Sequence, residues 1–201
     1  MSGEGTPPGA DAAWVTIETA TGAAELAAFC RDLERLYRIN PFLEFKSWRE
    51  SDDCRFAARV LNHSNGQEST LEGAVTRASD FEFRVDFASG LKKSTHFKIR
   101  ATPGGASLTI NDHYDAGAEE AIRAGGAVDR SLHAWGVALR AYLERERRWG
   151  WLPLARLCLR RLWLPMSPSA RRITFLILVI SLAEVLLIVL GFAIYWLEAG
   201  R

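Results

Sequence analysis

The run Ile173–Leu197 limits this chain's folding options more than any other feature. It holds 25 residues, seventeen of them Leu, Ile, Val or Phe, with Glu184 as its one charge, near the middle. As a helix rising ~1.5 Å per residue it reaches roughly 37 Å, more than the ~30 Å hydrocarbon core of a bilayer. Its seventeen apolar side chains favour insertion by about 0.3–0.6 kcal/mol each, roughly 5–10 kcal/mol together, against about 3 kcal/mol for an acid at that depth. Insertion wins on this comparison. The competing reading is a buried core helix, but such helices rarely run so long without a polar face. The glutamate needs a reason, because a charge at bilayer depth is costly and by default marks function.

Charge is unevenly divided. Residues 145–201 carry nine arginines against three glutamates, a net +6, which leaves −5 for residues 1–144. Arg171 and Arg172 flank the N-terminal side of the span, and only Arg201 follows it. The positive-inside rule then predicts a single-pass protein of a bacterial inner (cytoplasmic) membrane, with its N-terminal domain cytoplasmic and its C-terminus outside. Tyr195 and Trp196 fall where an interfacial aromatic belt is expected.

Just before the span, Trp149–Met166 mixes Arg156, Arg160 and Arg161 with leucines and Trp163. An apolar helix with an arginine strip fits a membrane interface, where guanidinium groups meet lipid phosphates. The alternative is packing against a partner subunit or the chain's own core. Nucleic acid is not an expected partner, because these arginines adjoin a span and lack interleaved polar or glycine-rich context. The expected organisation is a disordered 1–12, one domain over 13–149, a basic juxtamembrane segment over 150–170, a transmembrane helix over 171–198 and a tail of 199–201.

The domain reads as an ordered series of elements. Trp14–Thr19 alternates like a strand, and Ala23–Arg38 has the helical stripe Leu26, Phe29, Leu33, Leu36. Asn40-Pro41 stops that helix. Six strands follow, over 43–49, 55–61, 69–77, 81–88, 92–101 and 107–114, separated by turn signals such as Asn65-Gly66 and Ser89-Gly90. A long amphipathic helix over 127–148 closes the domain, with the stripe Val128, Leu132, Trp135, Leu139 and Tyr142/Leu143. Cys30, Cys54 and Cys158 are too scattered for a disulfide framework or a zinc site.

Seven antiparallel strands and one long amphipathic helix form an α+β arrangement in which the helix can cover the sheet's concave face. This order, with the helix-to-strand passage RLYRINPFLEFKSW (Arg35–Trp48), resembles the helix-grip fold of the START-like, polyketide-cyclase-like (SRPBCC) superfamily. The resemblance spans residues 12–149 and implies a curved sheet wrapped around the last helix and enclosing a cavity. An appended transmembrane helix departs from the common members of that superfamily.

Strand alternation names the expected lining. Phe81, Phe83 and Phe87 share one face, Phe97 and Ile99 follow on the next strand, and Leu108, Ile110, Asp112 and Tyr114 on the last, with Trp135 and Leu139 from the helix. An aromatic-walled space with a few polar groups suits a flat or chain-like hydrophobic ligand. The alternative is a solid core of the same side chains. His96 and His113 are expected as neighbours on the outer face, without a third ligand for a metal. His133 precedes Trp135 and is expected as a hydrogen-bonded core residue, the alternative being a place at the cavity edge.

Catalytic motifs are scarce: no phosphate loop, no H-E-x-x-H, no paired Cys motif and no nucleophile elbow occurs. The expected function is therefore a non-catalytic, membrane-anchored module. It binds a lipid, quinone or isoprenoid, or docks a partner, as an accessory subunit or assembly factor of a membrane complex. Its expected partners are membrane lipids and an integral membrane protein met through Glu184. No cofactor is implied beyond a bound lipid or quinone-like ligand. The alternative is a cyclase- or dehydratase-type enzyme using Asp112 and Tyr114 as an acid–base pair.

Overall fold

Hydrogen bonding in the computed structural model sets seven strands side by side in the order β1-β7-β6-β5-β4-β3-β2, every neighbouring pair antiparallel. The structure describes residues 12–51, 54–90, 92–114, 127–153, 157–158, 164 and 166–199. The strands are β1 (Ala12–Thr19), β2 (Leu43–Ser51), β3 (Arg55–Asn62), β4 (Gln67–Ser79), β5 (Glu82–Phe87), β6 (Lys92–Thr102) and β7 (Gly105–Tyr114). Helices α1 (Ala23–Cys30) and α2 (Leu33–Arg38) lie between β1 and β2, α3 spans Ala127–Trp149, and α4 spans Pro168–Ala199. This is the α+β helix-grip arrangement that the element order predicts.

From β2 to β7 the chain is a meander, and β1 returns to pair with β7. At the β6–β7 turn Gly105 adopts φ 145, and a Cβ there would stand 2.2 Å from the Thr19 carbonyl oxygen. Only glycine lets the start of β7 run this close to the end of β1.

The expected helix over Ala23–Arg38 divides in two. Asp32 interrupts it and caps α2, its carboxylate accepting from the Arg35 backbone N–H at 3.0 Å. An acidic side chain that bonds the backbone three residues on favours a new helix start over continuation. The division turns Arg35, Leu36 and Tyr37 inward together.

Helix α3 buries Leu132, Trp135, Leu139, Tyr142 and Leu143 and packs on β1. Contact is closest at Gly136, where an added Cβ would lie 2.9 Å from Val15 Cγ2 and 3.2 Å from Ile17 Cγ2. Arg35 joins α2 to α3: its Nε donates to the Tyr142 hydroxyl at 3.0 Å and its Nη2 to Glu146. The guanidinium also lies over the Phe29 and Tyr142 rings, at 4.8 and 5.1 Å. Burial acts to lower the pKa of Arg35, but the bonds to Glu146 and Tyr142 raise it, so the charge is kept.

The chain forms two compact units, residues 1–165 and 166–201. In the second, the Ser167 hydroxyl accepts from the Ala170 N–H and Pro168 opens α4, a favourable helix start. Ala170–Ala199 is 30 residues long, apolar enough to cross a membrane and entirely unburied. Glu184 makes no ion pair or side-chain hydrogen bond among the described residues.

Candidate hydrophobic-ligand site

Tyr37 occupies the middle of the sheet's inner face. Its ring stacks on Trp135 at 5.3 Å and meets Phe97 and Phe87 edge-on at 6.4 and 6.5 Å. Trp48 and Phe56 lie tilted beside it, and themselves stack at 4.6 Å. Trp135 is fixed by its Nε1 donating to the Leu36 carbonyl at 3.2 Å. This packing explains why Tyr37 is only 3% exposed. Among the described residues its hydroxyl meets no partner in good hydrogen-bond geometry.

Beside that hydroxyl lies a polar cluster. Asp112, 2% exposed, accepts at Oδ1 from the Thr95 hydroxyl at 2.6 Å. Its Oδ2 accepts from Lys92 Nζ at 2.5 Å and from the Tyr114 hydroxyl at 3.3 Å. The strands position these groups: Thr95 pairs with Asp112 and Lys92 with Tyr114, on either side of a bulge in β6. Burial, reinforced by the nearby Asp112 carboxylate, pushes the Tyr37 phenol above its usual range. The Thr95 hydroxyl lies next to the Tyr37 hydroxyl and, with its own proton given to Asp112, can meet it only as an acceptor. Lys92 Nζ also sits 6.0 Å from the Phe87 ring centre, and Lys92, Phe87 and Tyr114 are all half-buried. The cluster therefore adjoins solvent at this end.

Seven of the residues expected to line a cavity are buried and meet one another: Phe83, Phe97, Ile99, Leu108, Ile110, Trp135 and Leu139, none above 7% exposed. Phe83 stacks on Phe97 at 4.5 Å. Phe81 is different: it precedes β5, sits in the turn and is 42% exposed, so it lines no interior. His133 is likewise exposed rather than a core residue, because the α3 face that meets β1 is set by Leu132, Trp135 and Leu139. An open groove of 530 Å³ crosses β2–β5, with Phe56 and Phe87 among its lining.

On the outer face the His96 and His113 rings lie 4.9 Å apart and tilted, with His96 opposite Asn111 and His113 opposite Ser94. Partial burial, then the nearby His113 and Arg84, lower the His96 pKa from its ordinary 6.5. Among the described residues, no group of three or more His, Cys, Asp or Glu could hold a metal ion. Of the expected interface residues, Arg156, Arg160, Arg161 and Trp163 lie outside the described residues, as does the segment 1–11. Arg171 and Arg172 open the apolar stretch of α4.

Sequence reasoning missed Tyr37, Lys92 and Thr95. Alternation back from Phe97 does reach Thr95, but then points to Lys93. The bulge between Lys92 and Ser94 puts Lys92 inside instead.

No family model and no curated protein sequence matches the chain. Solved structures do. A crystal structure of a protein from Nitrosomonas europaea superimposes with a TM-score of 0.55 at 9% identity, over 71% of this chain and 99% of that one. A START superfamily protein from Mycobacterium smegmatis gives 0.52 at 18% identity, over 67% and 97%. The di-domain ARO/CYC protein of the steffimycin biosynthetic pathway gives 0.51 at 11% identity, over 70% of this chain and 53% of that one. At these identities the likeness carries the fold: the N-terminal unit has a START-like, polyketide-cyclase-like helix grip.

Proposed function

We propose that the chain is a membrane-anchored helix-grip module that holds a hydrophobic ligand bearing one polar group, of lipid, quinone or isoprenoid type. In this reading α4 spans the bilayer, and the arginines preceding it keep the domain on the cytoplasmic side of an inner membrane. The module serves a membrane complex as an accessory subunit or assembly factor, with Glu184 meeting a partner helix.

The observation that carries the ligand reading is the buried Tyr37 hydroxyl, which makes no well-formed hydrogen bond among the described residues. A buried hydroxyl without a partner costs about 1–3 kcal/mol, and a ligand carbonyl or hydroxyl placed beside it offsets that cost. Aromatic rings surround the site, as a flat or chain-like ligand requires. Half-buried Phe87, Lys92 and Tyr114 mark the end from which it enters. The rings fill the interior, so entry requires Tyr37 or Phe87 to swing aside.

Purification of the full chain from native membranes, followed by solvent extraction and mass spectrometry, tests this. A stoichiometric hydrophobic molecule is expected with the wild type and a several-fold smaller amount with Tyr37→Phe. Equal amounts in both, or none in either, overturns the reading.

The bond from Tyr114 to Asp112 keeps a second reading in view, a cyclase- or dehydratase-type reaction. Asp112 would have to release a donor before acting as a base, since both its oxygens are already engaged. Here Asp112→Asn and Tyr114→Phe abolish turnover of an offered polyketide while the fold persists, and unchanged turnover removes this reading.

A further inference from the structure

The C-terminal half of α3 carries a basic groove that the ligand site does not use. It encloses 830 Å³ between α3 and the adjoining ends of β1 and the β6–β7 turn. Its charged lining is Arg140, Arg147 and Arg148 against Glu18 and Glu144. Arg140 is committed to Glu144, its Nε donating at 3.0 Å. Arg147 and Arg148 are exposed and have no ion pair among the described residues, so two free cations share the groove with one acid, Glu18. Such a surplus favours an anion small enough to meet both guanidinium groups, and arginine suits phosphate best.

A second feature adjoins the groove. Trp149, the last residue of α3, and Trp151, two residues beyond it, are 49% and 76% exposed. The turn that presents them is fixed: Trp151 Nε1 donates to the Arg148 carbonyl at 3.2 Å, and a Cβ on Gly150 would stand 2.3 Å from the Glu146 carbonyl oxygen. Exposed tryptophans beside unpaired arginines are the usual composition of a surface resting in lipid headgroups. Only 18 residues separate Trp151 from Ala170, where the apolar stretch begins, a tether of at most about 65 Å.

We infer that this end of α3 docks on the bilayer, Trp149 and Trp151 entering the interface while Arg147 and Arg148 seat the phosphate of an anionic phospholipid in the groove. The inference rests on reading α4 as a membrane anchor, and goes beyond it by giving the domain a fixed footprint and a lipid preference. The two are separable. Release of the full chain from membranes by alkaline carbonate defeats the anchor reading, whereas the docking is tested on chain that stays embedded.

The test is hydrogen–deuterium exchange of the full chain in nanodiscs of phosphatidylcholine alone or with added phosphatidylglycerol. Amides of residues 144–151 are expected to exchange several-fold more slowly with the anionic lipid. Arg147→Gln/Arg148→Gln abolishes that difference while β5 and β6 stay protected, and Glu18→Gln enlarges it by removing the opposing acid. Equal exchange in the two nanodiscs overturns the inference. So does inorganic phosphate reproducing the protection in phosphatidylcholine nanodiscs, which would assign the groove to a free anion.

Discussion

Tyr37 is subject to two opposite demands. Its ring contacts five aromatic neighbours and holds the centre of the core, while its hydroxyl makes no well-formed hydrogen bond among the described residues. Removing only the hydroxyl should therefore leave stability unchanged or raise it by up to about 1 kcal/mol, because the unsatisfied group goes and the ring stays. A chemical-denaturation midpoint for Tyr37→Phe checks this, and separates a ligand effect from a folding effect. Arg35 shows the reverse logic: its buried guanidinium depends on Glu146, whose side chain is 24% exposed. Breaking a buried pair costs about 3–5 kcal/mol, and partial exposure here brings Glu146→Gln to about 2 kcal/mol, read from the same denaturation curve. His96 gives a pH signature. Its folded pKa lies below the ordinary 6.5, so protonation favours the unfolded chain. Its contribution is whole above pH 6.5 and is lost as pH falls through the lowered value. An NMR titration of its ring protons should show a midpoint below 6.5 that rises in His113→Gln.

Each strand and helix of the domain was visible in the amino-acid pattern, to within a residue or two at most ends, because alternation and helical stripes report burial directly. What escaped was local exceptions to those periods. The β6 bulge exchanges Lys93 for Lys92 at the inner face, and one inserted residue leaves no mark in a hydrophobic pattern. Asp32 was readable as a helix cap, yet the stripe Leu26, Phe29, Leu33, Leu36 runs straight through it, so one long helix was the natural expectation. Phe81 fits the alternation of β5 but falls in the turn before it. Gly136 marks an element contact that no pattern reveals. A methyl there presses on Val15 and Ile17, whose branched side chains turn stiffly. Gly136→Ala should gain helix propensity yet lose about 1–2 kcal/mol net by pushing α3 off β1, seen as a lowered midpoint.

At the scale of the whole molecule the issue is why an apolar helix retains an acid. Along α4, at about 100° per residue, Thr174, Ser181, Glu184, Gly191 and Tyr195 fall within roughly 100° of arc, and the remaining circumference is almost wholly Leu, Ile, Val, Phe and Ala. Lipid gives no reason to gather the polar residues and the one glycine on one side, whereas a second helix does, because a glycine admits close contact and polar side chains bond across it. Glu184 stands in that strip, midway along the span, without a partner among the described residues. An ionised carboxylate there calls for a basic group on the facing helix, while a protonated one could pair with a second copy. Glu184→Leu should therefore leave membrane localisation intact, since insertion becomes easier, while recovery of the partner after mild detergent extraction falls several-fold. Gly191→Leu on the same face should act alike, and Val179→Leu on the opposite side should not. Partner recovery that is indifferent to all three substitutions would make the acid a tolerated passenger and leave α4 an anchor alone.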